Sequence, residues 1–141
     1  MQQRLSLITL GVRDLARSTA FFESLGWKRS VRDASGVSFF QCGSIAFGLF
    51  PREELAKDAG IADDGAGFEG FSIAYNTRSK EEVDQILDQV QSLGAEIVKP
   101  AEEVFWGGYS GYFRDLDGHL WEVAWNPGFE ITGDGAVILP E

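Results

Sequence analysis

Apolar positions along the chain follow two periods, one of two residues and one of about 3.6, and these alternate in a repeated order. Leu5–Val12 (LSLITLGV) is a short apolar run that predicts a strand. Asp14 then stands where an N-cap belongs. Leu15, Phe22 and Leu25, with Phe21 beside them, give the inner face of a helix over Leu15–Leu25, and Gly26 stops it. Three short extended runs follow, Trp27–Arg32, Gly36–Cys42 and Ser44–Phe50, separated at Ala34-Ser35-Gly36 and Cys42-Gly43. The first half therefore predicts β-α-β-β-β.

The pattern then lapses. Pro51–Gly70 (PREELAKDAGIADDGAGFEG) is rich in Gly, Ala and Asp and carries no strand signal. It reads as a linker with at most one helical turn at Arg52–Lys57. Phe71–Asn76 restarts the pattern as a strand. Ser79 and Glu82 have capping-box spacing, and Val83, Ile86, Leu87, Val90 and Leu93 recur at helical intervals up to Gly94. Ala95–Val98 predicts a strand and Pro100–Val104 a loop.

The stretch Phe105–Pro127 (FWGGYSGYFRDLDGHLWEVAWNP) completes this half. Tyr109–Arg114 is aromatic and extended, Asp115–Gly118 is a turn, and His119–Trp125 alternates as a strand. His119, Trp121, Val123 and Trp125 face one way, and Leu120, Glu122 and Ala124 the other. The second half is again β-α-β-β-β. The repeat rests on the order of elements and on the glycine stops, with Gly26 matching Gly94 and Gly43 laid on Gly118. Each unit has one helix, which covers one sheet face. The bare faces are best buried by curling the two sheets around a shared cavity. The expected fold is α+β: two βαβββ modules forming a curved, barrel-like eight-stranded mixed sheet around a cavity. The expected layout is one domain over 1–141, with module one at 1–50, a linker at 51–70, module two at 71–126 and a tail at 127–141.

Composition narrows the partners. With 44% hydrophobic residues the chain is globular. A formal net charge of −10 leaves no basic surface for nucleic acid and disfavours anionic membranes. No apolar run is long enough to span a bilayer, and MQQRLSLITLGVRDL lacks a signal-peptide layout, so a cytoplasmic location is expected. The single cysteine, Cys42, cannot form an internal disulfide and suits a reducing compartment. Ser110 has no visible base, so a Ser-His-Asp triad is not supported.

The segment Val12-Arg13-Asp14-Leu15-Ala16-Arg17-Ser18, with Phe21-Phe22 and Leu25-Gly26-Trp27, resembles the vicinal-oxygen-chelate superfamily. So do Gly107-Gly108-Tyr109-Ser110-Gly111-Tyr112-Phe113 and residues 115–122. That superfamily contains glyoxalase I, extradiol dioxygenases and the fosfomycin- and bleomycin-resistance proteins. The resemblance covers nearly the whole chain and looks closest to uncharacterised bacterial glyoxalase-like proteins. It implies four metal-ligand positions on the inner strand faces. The last is a Glu after the D-x-D-G turn, and Glu122 matches it. The other three fall at Leu7, Phe47 and Phe71, none of which is a metal ligand, and neighbouring positions offer none either. The expectation is no metal and no cofactor.

Glu122 then stands alone as the candidate catalytic group, a proton donor or base or a hydrogen-bond partner for a ligand's amine or hydroxyl. The alternative is a structural carboxylate tied to a nearby Tyr, Ser or Arg. Trp106, Tyr109 and Tyr112 among glycines suggest an aromatic rim for a planar ligand. The expected ligand contacts are Leu7, Phe47, Phe71, Trp106, Tyr109, Tyr112 and Glu122. The resulting function is a glyoxalase/bleomycin-resistance-like protein holding a small organic molecule in an apolar, aromatic cavity. The alternatives are a metal-dependent lyase, isomerase or dioxygenase, and a structural or interaction protein with a vestigial cavity. Open sheet edges and the linker predict a homodimer, with Ala136–Leu139 covering an edge or extending the interface. Light scattering at micromolar concentration should give twice the 15.5 kDa chain mass. A clean monomer mass would rule the dimer out.

Overall fold

The computed structural model describes residues 1–24, 26–64, 68–114, 116 and 118–140. In chain order the elements are β1 (Leu7–Val12), α1 (Leu15–Ser24), β2 (Arg29–Ser30), β3 (Ser38–Cys42), β4 (Ile45–Pro51) and α2 (Arg52–Ala59). Then come β5 (Phe71–Asn76), α3 (Lys80–Ser92), β6 (Glu96–Glu103), β7 (Tyr109–Arg114), β8 (Leu120–Trp125), β9 (Glu130–Ile131) and β10 (Val137–Ile138). The expected helix end at Leu25 and the turn residues Asp115 and Asp117 lie outside the described residues.

The fold is α+β. Eight strands form one mixed sheet in the order β2-β3-β4-β1-β5-β8-β7-β6, and β9 and β10 form a separate pair. The large sheet is not closed into a barrel, since β2 and β6 are its free edges. The halves join where β1 and β5 pair antiparallel, with Leu7 opposite Ala74 and Thr9 opposite Ser72. On either side of that seam the pairing is parallel, β1 with β4 and β5 with β8.

Two helices take one face. Asp14 caps α1, accepting the Arg17 backbone N–H at 2.9 Å. Behind α1, Phe22, Trp27, Phe40 and Phe47 form a tilted and edge-to-face cluster with ring centroids 5.0–6.4 Å apart. Ser79 Oγ caps α3 by accepting the Glu82 N–H at 3.3 Å. The Glu82 carboxylate answers to the Arg78 N–H at 2.8 Å, one residue earlier than a strict capping box. Val83, Ile86 and Leu87 then pack on Tyr75, Phe113 and Val123. Leu93, expected on this face, is the helix C-cap and is 70% exposed.

The opposite, concave face is covered by segments with weaker or later sequence signals. The linker contains α2, a full two-turn helix rather than the single turn expected. Its acidic first turn (Glu53, Glu54) and its end suit a helix. Gly60 is left-handed, the Gly60 N–H reaches the Lys57 carbonyl, and the Ile61 N–H reaches that of Ala56 at 2.9 Å. Leu55, Ala56 and Ala59 seat on Phe68, Tyr112 and Leu120, over the second half of the sheet. Over the first half lies the chain after β8. Val137 and Leu139 are buried against Leu7, Ala46 and Ala74. Gln41 fastens them, its amide nitrogen donating to the Val137 carbonyl at 3.0 Å and its oxygen accepting the Leu139 N–H at 2.9 Å.

β6 differs from expectation. The chain pairs with β7 through Glu103 rather than looping at Pro100. The register slips twice, between Ile97 and Lys99 and between Lys99 and Glu102, flanking Pro100, which has no N–H to give the ladder. The first bulge turns Lys99 toward Tyr112 and the concave face.

Gly111 is fixed by this packing. A Cβ there would lie 2.7 Å from Leu87 Cδ1 and 2.9 Å from both the Ala101 nitrogen and the Lys99 oxygen. Two of these are backbone atoms that cannot move aside. Gly111→Ala should destabilise by roughly 1–3 kcal/mol, read as a melting temperature several degrees lower.

Candidate functional site

Between the two concave-face covers lies a cavity of ≈ 380 Å³. This is at the small end of ligand pockets. The strand pleat decides what enters it. Leu7 and Thr9 of β1, Asn76 of β5, Tyr112 of β7 and Glu122 and Ala124 of β8 face inward. Phe39 and Phe50 continue the wall from the first half, α2 adds Leu55 and Asp58, and Phe129 comes from beyond β8. Phe105 and Trp106 from the β6–β7 turn stand at its edge.

Four of the expected contacts therefore meet here: Leu7, Trp106, Tyr112 and Glu122. Phe47 does not. It pairs with Ile8 on β1 and with Phe40 on β3, and its ring joins the cluster beneath α1, on the opposite face. The cause is the phase of the pleat after each turn. The first half closes β3 to β4 with Cys42 opposite Ile45, whereas Arg114 pairs with Leu120 in the second half. Gly43 and Gly118 each stand two residues before the first paired residue, yet the row across the sheet puts Ala46 level with Glu122, so laying Gly43 on Gly118 misplaces the pleat by one, and one residue reverses the face. The inward neighbours are Ala46 and Gly48. Phe71 is displaced likewise: it pairs with Leu10 on the helix side, while Ser72 and Ala74 face inward. Tyr109 also faces the helices, where its hydroxyl donates to Asp84 of α3 at 2.9 Å.

Glu122 is flanked by Ala74 and Tyr112 on the neighbouring strands. The Tyr112 hydroxyl donates to Asp58 Oδ2 at 2.7 Å. Lys99 Nζ donates to the Asp58 backbone carbonyl at 2.8 Å, pairs with Glu102 at 3.0 Å, and stands 3.9 Å from Asp58 Oδ1. Lost hydration, then the negative charge of Asp58, push the Glu122 carboxyl up to about 8. The Lys99 cation and the Tyr112 and Ser110 hydroxyls act in the opposite direction without offsetting this. Ser110 Oγ is buried near Glu122 without meeting hydrogen-bond geometry to any described group. The buried Tyr112 phenol is raised well above its usual range by lost hydration and the adjacent carboxylates.

Asp58 is a site residue that the sequence reading does not anticipate. Its signal lies in REELAKDA, which places Leu55, Ala59 and Asp58 on a short helix before a glycine stop. The Trp106 indole folds over Gly108, occupying the space where a Cβ would stand, so the glycine there makes room for the ring.

A resident divalent metal does not fit these residues. The inward row is Ala46, Leu7, Ala74 and Glu122, with one oxygen donor among four side chains. Val137 and Leu139 pack on the other three. Among the described residues, no three His, Cys, Asp or Glu side chains converge. His119 is exposed and precedes β8.

The likeness to known proteins agrees with this architecture. A fosfomycin resistance protein FosX from Listeria monocytogenes is 33% identical over 125 residues, covering 84% of this chain and 86% of that protein. A glyoxalase-related enzyme from Fulvimarina pelagi is 31% identical over 99% of this chain and 100% of its own, with a TM-score of 0.51. Methylmalonyl-CoA epimerase from Streptomyces coelicolor shares the fold, with a TM-score of 0.61 at 20% identity, covering 90% of this chain and 99% of its own. The model of the Glyoxalase/Bleomycin resistance protein/Dioxygenase superfamily matches residues 4–123, and the chain belongs to that superfamily.

Proposed function

We propose that this protein holds a small organic molecule in the cavity beside Glu122, without a resident metal. One observation carries the reading: an open, largely apolar and aromatic cavity with a buried carboxyl group in its wall. Apolar walls supply affinity, and the few polar groups set orientation. Leu7, Trp106, Tyr112 and Glu122 are the proposed contacts, with Glu122 as the group able to give or take a proton. An open cavity of this size favours ligand binding over a vestigial space. A homodimer belongs to the same reading, supported by the two free sheet edges. So does a cytoplasmic location, supported by the lone Cys42. No described helix is long and apolar enough to cross a membrane.

The likeness to fosfomycin resistance proteins makes fosfomycin a probe to include. A small anion, however, would meet Asp58 and Glu122 in the wall, and no Lys, Arg or His among its described residues.

A thermal-shift panel of aromatic and amphipathic compounds, with fosfomycin included, tests the reading. At least one aromatic compound should raise the melting temperature by several degrees at concentrations well above its Kd. Ala124→Leu, which fills the cavity from β8, should abolish that rise. No stabilisation by any compound, or stabilisation that survives the filling, would overturn it. Tight stoichiometric metal in protein purified without chelators would overturn the metal-free part.

Glu122 also sets a pH dependence. Its folded value, about 8, lies above its ordinary 4.5. The proton is bound more tightly in the folded protein, so the associated stability is fully present below about 4.5. It is lost as pH rises, until the folded group itself ionises near 8. Glu122→Gln removes the titration and keeps the shape. The variant should match the parent near the acid end of this window and exceed its melting temperature by several degrees above the alkaline end. Equal melting temperatures throughout would show that the carboxyl is not buried as described.

A further inference from the structure

We propose that the cavity is selective for an aromatic or apolar amine, bound as its ammonium ion between Asp58 and Glu122. This rests on the reading of the cavity as a ligand site and names the chemical class it takes.

Thr9, Ser35 and Asn126 line the cavity with hydroxyl and amide groups, and its ionisable carboxyl groups are Asp58 and Glu122. The Tyr112 hydroxyl is already engaged with Asp58 Oδ2 at 2.7 Å. The Asn76 amide nitrogen is held by the Ala124 carbonyl at 3.2 Å. The Asn76 Oδ1 is enclosed, on a side chain only 3% exposed, without a partner among the described residues. Asp58 adds a carboxylate and Glu122 a carboxyl group. A ligand group between these two meets a carboxylate that only accepts, and an ammonium brings up to three N–H groups to it.

Charge leads to the same class. Two acidic residues line the cavity, and no described basic residue does. Lys99 lies behind Asp58 and is divided between its backbone carbonyl, at 2.8 Å, and Glu102, at 3.0 Å. Its distance to the Asp58 carboxylate is 3.9 Å. The negative charge of Asp58 bears on Glu122, and a cation placed between the two groups is attracted to that charge. The remaining wall suits the rest of such a molecule. Phe39, Phe50, Trp106 and Phe129 present aromatic surface, which receives a ring by stacking and a cation over its face. An anion finds no basic counterpart among the described lining residues.

Three probes of one shape separate the classes: 2-phenylethylamine, 2-phenylethanol and 3-phenylpropionate, titrated by calorimetry at neutral pH. The amine should bind at least about ten-fold tighter than the alcohol, with the carboxylate weakest. Asp58→Asn and Glu122→Gln should each weaken the amine several-fold more than the alcohol. Trp106→Ala should weaken the amine and the alcohol together. Each variant's melting curve is taken first, and its binding is read only where it is folded. Equal or tighter binding of the alcohol or the carboxylate would overturn the amine class while leaving the cavity reading in place. So would equal losses for amine and alcohol in the Asp58 and Glu122 variants. If none of the three binds, the amine class falls, and the wider thermal-shift panel decides separately whether the cavity takes any ligand.

Discussion

A sheet with two apolar faces and its two longer helices on one of them must find cover for the other. Everything distinctive in this protein follows from how that is met. The helices α1 and α3 take one face, and closing the sheet into a barrel would have hidden the other. The sheet stays open, and two unrelated segments divide the concave face, α2 over the second half and the chain around Val137 and Leu139 over the first. Burying a leucine-sized side chain contributes about 1.5–3 kcal/mol, so Leu55 and Leu139 each offset much of the entropy of ordering a short segment. The cavity is the part of the concave face that neither segment reaches.

That division also accounts for the site. In a strand row built for metal ligands, the neighbours of Glu122 would be donors. Here they are Leu7, Ala46 and Ala74, small or apolar enough to seat the tail. Glu122 is left in surroundings poor in water and facing Asp58, with Lys99 held by the Asp58 carbonyl and Glu102. Its high affinity for a proton follows from that isolation. α2 thus has two roles, covering the second half with Leu55, Ala56 and Ala59 and placing the charge of Asp58 against Glu122.

Much of this was legible in the residues. Two β-α-β-β-β halves, the caps at Asp14 and Ser79, the strands at Phe71–Asn76 and Tyr109–Arg114, and the inward aim of Glu122 all follow from local pattern and capping chemistry. What escaped depended on counting across turns. Aligning the halves sets Phe47 and Phe71 inward, and a one-residue error in that alignment is enough to reverse a pleat. Pro100 suggests a loop, but at a sheet edge a proline introduces a bulge and leaves the strand in place. α2 is masked by its glycine- and aspartate-rich surroundings, although Leu55, Ala56 and Ala59 form a helical stripe. The tail's destination could not be read locally at all, because its partners at Leu7, Gln41 and Ala46 are remote in sequence.

That remoteness governs how the protein comes into being. Gln41 and Leu139 are joined across 98 positions. Contacts this far apart in the chain carry a large closure entropy and form late. During synthesis the strands of the large sheet and all three described helices are made before residues 137–139 leave the ribosome. Until then Leu7, Ala46 and Ala74 remain open to water. The nascent chain therefore carries an apolar strip awaiting Val137 and Leu139, and their arrival turns an exposed surface into a chamber.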